Sequence, residues 1–173
     1  MAGRRLSPAR VAAIGAVPAA LAAGIVFYGA LGGFSRPATG NVSVPAPSLD
    51  EPTARVCRTF VGLLPDAVGR LARRPVWNGP EQNAAYGDPP VTVVCGAAGV
   101  PSVPPTATVY PLSGVCWYAS DDKDATVWTS LYRAVPVQVR VPRAYDQPGQ
   151  LVIQFSGPVQ DGDPAVAVRP SGC

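Results

Sequence analysis

The chain contains no histidine. Any Ser-His-Asp or Cys-His catalytic centre, any imidazole metal ligand and any His-based pH switch is therefore excluded, because each needs that ring. Charge is also scarce: 14% of the 173 residues are Asp, Glu, Lys or Arg, and Lys123 is the one lysine. The formal charge of +3 belongs to the N-terminus, where Arg4, Arg5, Arg10 and Arg36 stand. From Ser48 onward ten basic residues face eleven acidic ones. Binding to nucleic acid needs clustered cations that displace counterions from phosphates, so no nucleic-acid partner is expected. Gly and Pro make up 39 of 173 residues, below the roughly 25–30% of low-complexity chains, so the sequence is not disordered throughout. Its length suits one domain.

What is present begins with an apolar leader. Between Arg10 and Arg36 lie 25 uncharged residues, Val11 to Ser35. As a helix this run is roughly 37 Å long at ~1.5 Å per residue, enough to cross a hydrocarbon core of ~30 Å. Three arginines precede it and one follows, so the positive-inside bias places the N-terminus in the cytoplasm and the remainder outside. The sequence thus divides into a basic N-terminus (1–10), a transmembrane anchor (11–34), a Pro-rich tether (35–52) and an extracytoplasmic domain (53–173). The membrane is the first expected partner. A cleaved signal peptide, giving a secreted product, fits the same residues. The apolar run outlasts the usual h-region of ~7–15 residues, which favours an uncleaved anchor. No Cys occurs in the first 56 residues, so a lipid-modified lipoprotein is excluded. The tether has almost no large apolar side chain and is expected to be semi-extended.

After the tether, Asp50, Glu51 and Pro52 give an acidic, Pro-bearing first turn, and Val56, Phe60, Leu63 and Leu64 recur at helical spacing up to Pro65. Asp66 to Ala72 suggests a further helical turn. Then the period becomes two. Short runs at Val91–Cys95, Ala107–Tyr110, Val115–Tyr118, Thr126–Trp128, Val135–Val141, Leu151–Phe155 and Ala165–Val168 are expected as strands separated by turns. One helix followed by strands with no helices between them implies an antiparallel sheet, since parallel strands need long crossovers. The fold class is α+β, one main helix on a largely antiparallel sheet.

Cys57, Cys95, Cys116 and Cys173 all follow the leader. An even count in an oxidising space implies two disulfides, with three possible connectivities. The spacings contain no Cys-x-x-Cys, so neither a zinc site nor a redox motif is expected, and no cofactor is implied. Cys57 lies on the inward side of the helix and Cys95 shares a strand face with Val91 and Val93. Pairing them pins helix to sheet and leaves Cys116 to hold Cys173.

Cys57-Arg58, Arg73-Arg74-Pro75-Val76, Tyr86-Gly87-Asp88-Pro89-Pro90, Cys95-Gly96, Gly114-Val115-Cys116-Trp117 and Val139-Arg140-Val141-Pro142 together resemble an actinobacterial family of short secreted or membrane-anchored proteins known only as a domain of unknown function. The likeness covers roughly residues 50 to 160. It implies pairing of Cys57 with Cys95 and a cell-envelope setting. No activity comes with it.

Candidate sites are few. The Tyr86-Gly87-Asp88-Pro89-Pro90 segment suits a turn that sets strand entry, with Asp88 bonding nearby donors. Arg73 and Arg74 pair with Asp88 or grip an anionic envelope ligand. Together with Trp117 and Tyr86 these residues are the candidate binding surface. Ser120 to Asp124 offers three carboxylates and Asp161-Gly162-Asp163 two more, but the EF-hand spacing is missing, so a solvated hairpin tip is expected. Of the aromatic residues Trp77, Trp117 and Trp128, core packing is the default, and an exposed one suits sugar or protein docking. The expected function is a non-catalytic, membrane-tethered envelope protein that binds a protein or wall component. Two alternatives are a His-independent carboxylate enzyme acting on envelope glycans, which needs two close carboxylates in a cleft, and a structural accessory of a membrane complex contacting its neighbours through Gly24, Gly29, Gly32 and Gly33.

Overall fold

The computed structural model describes residues 40–97, 103–104, 106–170 and 173. The expected N-terminus and anchor, with Gly24, Gly29, Gly32 and Gly33, and tether residues 35–39 lie outside the described residues. No helix among the described residues is long and apolar enough to cross a membrane.

Helix α1 (Glu51–Gly62) starts where its first turn predicts. The Asp50 side chain accepts a hydrogen bond from the Thr53 backbone N–H at 3.1 Å, satisfying one of the donors that a helix start leaves open. Cys57, Phe60 and Val61 point inward. Eight strands follow: β1 (Ala67–Val68), β2 (Leu71–Arg74), β3 (Asn83–Tyr86), β4 (Val91–Cys95), β5 (Val109–Leu112), β6 (Val115–Asp121), β7 (Ala125–Leu131) and β8 (Val137–Pro142). Helix α2 (Pro148–Gly162) closes the series. The strands form one sheet in the order β1-β2-β3-β4-β8-β7-β6-β5, with every neighbouring pair antiparallel.

Period-two burial sets the two sheet faces. In β4, Val91, Val93 and Cys95 are buried, and in β8 so are Val137, Val139 and Val141. They meet Phe60 of α1 and Val152, Phe155 and Val159 of α2 in the core. Thr92, Val94, Gln138 and Arg140 alternate with them and belong to the other face. The helices cross closely at Gly162, where a Cβ would stand 2.8 Å from the Phe60 Cα.

The α+β architecture and antiparallel sheet are as expected, with two helices where the sequence suggested one. Leu151–Phe155, expected as a strand, is part of α2. Five apolar-rich residues satisfy either period, and the deciding pattern is longer: Val152, Phe155, Ser156 and Val159 recur every three to four residues behind Pro148 at the helix start. Asp66 to Ala72 is not helical but contains β1, the start of β2 and the turn at Gly69 and Arg70 between them. Strand β3 is unforeseen because all four of its residues are buried, leaving no alternation to read. Within Ala165–Val168 only Ala165 makes a β-bridge, to Arg133.

Both disulfides form as expected. Cys57 joins Cys95, tying α1 to β4, and Cys116 joins Cys173, tying the last residue to β6. Paired cysteines of this kind belong to an oxidising, extracytoplasmic compartment.

The described part of the Pro-rich segment packs on the sheet. Val42 N–H donates to the Pro75 carbonyl and Trp77 N–H donates to the Val42 carbonyl, both at 2.9 Å. Val42 and Val44 are buried against Ala85, Val76 and Val94. Ala85 faces Thr92 and Asn83 faces Val94 across the ladder, so this strap lies on the sheet face away from the helices. Extended proline-rich backbone has no internal hydrogen bonds, so its carbonyls need outside donors. Two buried amides supply them: Asn83 Nδ2 donates to the Pro45 carbonyl and Gln82 Nε2 to the Pro47 carbonyl, each at 3.0 Å. Two valines suffice because the sheet provides the rest of the apolar surface.

Candidate binding surface around the strap

The residues singled out from the sequence separate into two groups. Tyr86 and Trp117 are fully buried and contribute no surface, so the candidate binding surface loses both. The Tyr86 ring packs on Phe155, and its hydroxyl donates to the Pro65 carbonyl at 2.9 Å. Burial pushes that hydroxyl up to about 12, so it serves as a donor and not as an acid. Trp117 Nε1 donates to Ser156 Oγ at 3.0 Å and joins β6 to α2. In each case an aromatic body fills the core while its polar atom finds an acceptor, half-buried at Pro65 and fully buried at Ser156.

Arg73, Arg74 and Asp88 remain at or near the surface. Arg73 Nη1 donates to the Leu64 carbonyl at 3.4 Å. Arg74 is a clamp: Nη2 donates to the Gly40 carbonyl at 2.8 Å and Nη1 to the Gly87 carbonyl at 2.9 Å. Its guanidinium thus holds both the start of the strap and the β3–β4 turn. Asp88 stands 3.8 Å away with its side chain 70% exposed. Gly87 has φ +69°, and a Cβ there would lie 2.8 Å from both Leu71 Cδ2 and Tyr145 Oη, so the turn requires glycine. Tyr145, which sequence reading passed over, braces this turn by donating its hydroxyl to the Pro89 carbonyl at 2.6 Å.

Asp121, Asp122 and Asp124 sit at the β6–β7 hairpin, as expected. Arg140 pairs with Asp122 at 2.9 Å and also with Asp124, and Arg143 reaches Asp121 at 3.3 Å. No group of three metal-ligating side chains occurs among the described residues. Of the second acidic pair, Asp161 is exposed and Asp163 is fully buried at the end of α2. Asp163 Oδ1 accepts the Val135 N–H at 3.1 Å, while Oδ2 has no protein partner. Arg133 lies nearby but spends its guanidinium on the carbonyls of Asp163 and Gly114. Burial pushes the Asp163 carboxyl up to about 6.

That shift makes a stability prediction. A carboxyl whose folded pKa lies above its unfolded value favours the fold when protonated; the benefit is complete below about pH 4 and is lost as pH rises through about 6. Asp163→Asn removes this loss. Between pH 4 and 7 the wild type should forfeit up to about 3 kcal/mol relative to the variant. Urea unfolding of both proteins across that range measures the difference, and parallel curves would contradict the assignment.

Three clefts flank the strap. One of about 450 Å³ is lined by Pro45, Ala46, Pro47, Val94, Ala97 and Gln138. Another of about 380 Å³ runs between Ser43, Pro45, Pro89, Pro90, Thr92 and Arg140. The third, about 350 Å³, is bounded by Pro47, Leu49, Arg58, Gly79, Glu81 and Gln82. Proline rings form walls of all three. Glu81 in the third and Asp124 in the second are the only carboxylates that line them, so none contains the carboxylate pair that glycoside hydrolysis requires. Beside the strap, Trp77 is 72% exposed, whereas Trp117 and Trp128 are buried. Sequence reading put Trp117 on the candidate binding surface and did not single out Trp77. The usable signal was the uncharged, turn-forming stretch from Pro75 to Pro80 around Trp77. Nothing in the sequence marked Gln82 and Asn83 as the strap's anchors, since their partners lie 35 and 38 residues away.

A family model described as Protein of unknown function (DUF3515) matches residues 14–167. No curated protein and no solved structure matches the chain.

Proposed function

The chain belongs to the family Protein of unknown function (DUF3515), and we propose that it is a non-catalytic binding module of the cell envelope. Residues 11–34 span the membrane, the arginines before them stay in the cytoplasm, and the disulfide-bonded domain works outside. The partner is an envelope protein or a wall component.

The observation that carries this reading is the strap and its clefts. Buried Gln82 and Asn83 fix the carbonyls of Pro47 and Pro45, so the cleft walls are pre-formed and lose little freedom on binding. In the cleft beside Val94 and the one beside Thr92 the walls are mostly apolar with a few polar groups such as Gln138, Thr92 and Arg140, a composition suited to recognition. Two disulfides keep the sheet behind them rigid.

Val94 tests the reading. It lines the largest of the three clefts, and Val94→Arg places a charge there. A photo-crosslinking residue at Gln138 in living cells should capture a defined protein or wall fragment, while one at Gln154 on α2 should not. Val94→Arg should abolish the capture with the protein still folded. Equal capture from both positions, or capture indifferent to Val94→Arg, would remove the clefts from the binding surface. A topology reporter at residue 173 should be active outside the cytoplasm, and cytosolic activity would end the tethered, extracytoplasmic reading.

A further inference from the structure

Trp77 is the least expected exposed side chain on the domain, and its position in the chain path suggests what covers it. The strap shortens the tether. The Arg74 guanidinium holds the Gly40 carbonyl, and Val42 is bonded to Pro75 and Trp77. Between residue 34, where the apolar run ends, and Gly40, the first clamped one among the described residues, the chain therefore has five residues, 35–39. Even fully extended, six such steps reach only about 20 Å. Where residues 11–34 cross a bilayer, the corner of the domain around Gly40 stays within that distance of the lipid.

Trp77 is at this corner, its own backbone N–H bonded to Val42 at 2.9 Å. Its indole is 72% exposed. The stretch around it, Pro75-Val76-Trp77-Asn78-Gly79-Pro80, carries no charge, and Pro75 and Pro80 are exposed as well. The nearby Arg74 guanidinium is already bonded to two carbonyls, so the indole and proline rings are the uncharged contacts this stretch offers, with exposed Glu81 next in the chain and exposed Asp88 beside Arg74. Tryptophan is enriched at membrane–water interfaces because its ring is apolar while its N–H can still reach a polar partner.

We propose that Trp77 docks the domain onto the lipid surface, its indole seated at the headgroup level of the membrane that residues 11–34 cross. This rests on the tethering reading given above. The occupant is the bilayer rather than a sugar ring or a protein, because chain length alone keeps lipid in reach. The contact is carried by an uncharged ring, so it forms on zwitterionic lipid and is insensitive to salt.

The full chain reconstituted into phosphatidylcholine vesicles provides the test. Trp117 and Trp128 are buried inside the domain, so subtracting the emission of Trp77→Phe from that of the wild type isolates Trp77. In vesicles whose acyl chains are brominated near the headgroup, at least half of the Trp77 emission should be lost, equally at low and high salt. Unchanged emission in brominated vesicles, with the protein still floating with them, would overturn docking and leave tethering intact. A Trp77 signal that answers to added wall glycan but not to bromine would also overturn it, in favour of a sugar platform. Failure of the full chain to float with the vesicles would reject the tethering reading, and the docking with it.

Discussion

Replacing Cys57 and Cys95 together by alanine lowers the unfolding free energy by about 4 kcal/mol. The bridge closes a 38-residue separation, and the loss is the loop-closure entropy regained by the unfolded chain. For a domain of this size, whose whole stability is roughly 5–15 kcal/mol, that is a large fraction, and the melting temperature should fall by roughly 15 °C. The location adds to the effect, because Cys57 is the covalent point at which α1 meets β4 and both cysteines are fully buried. Urea unfolding of the double variant against the wild type measures it. A loss under about 1 kcal/mol would show that Phe60 and its apolar neighbours hold α1 down without the bridge, contrary to the chain-entropy account.

Trp117→Ala is the second large effect, a loss of about 3–5 kcal/mol from the emptied volume and unfilled contacts. Trp117 has no exposed surface, and its Nε1 bond to Ser156 Oγ links β6 to α2 across the core. Truncation opens a cavity between sheet and helix and leaves the serine hydroxyl without its donor. Trp117→Phe should cost less, since the ring is partly replaced and the lost hydrogen bond is worth about 1–2 kcal/mol. Trp77→Ala is the contrast: exposed and without a packing role, it should change stability by no more than about 0.5 kcal/mol. Chemical denaturation of the three variants separates core from surface tryptophan. Equal costs for Trp117→Ala and Trp77→Ala would contradict the burial of the former.

The same comparison shows how far local pattern carries. The start of α1, the alternation in β4 and β8, and the acidic β6–β7 hairpin follow from short-range rules, because capping, period and turn chemistry act over a few residues. Strand β3 and helix α2 were hidden for a physical reason. A strand buried on both faces does not alternate, and a short apolar window satisfies both periods. The candidate surface suffered most. Tyr86 and Trp117 have side chains suited equally to binding and to a core, and only their partners, Pro65 with Phe155 and Ser156, decide between the two. Trp77 carries the same chemistry and lies in the open.

The sequence alone determined the exclusion of imidazole chemistry, the charge asymmetry around an apolar run, the α+β class and an even set of cysteines. These depend on composition and nearest neighbours, which folding leaves unchanged. Tertiary structure decided that the Pro-rich residues 42–47 form part of the domain, that the Arg74 guanidinium holds the strap and the β3–β4 turn, and which tryptophan faces outward. Each of those facts depends on groups distant in sequence, such as Gln82 and Pro47 or Trp117 and Ser156, whose meeting no local pattern encodes.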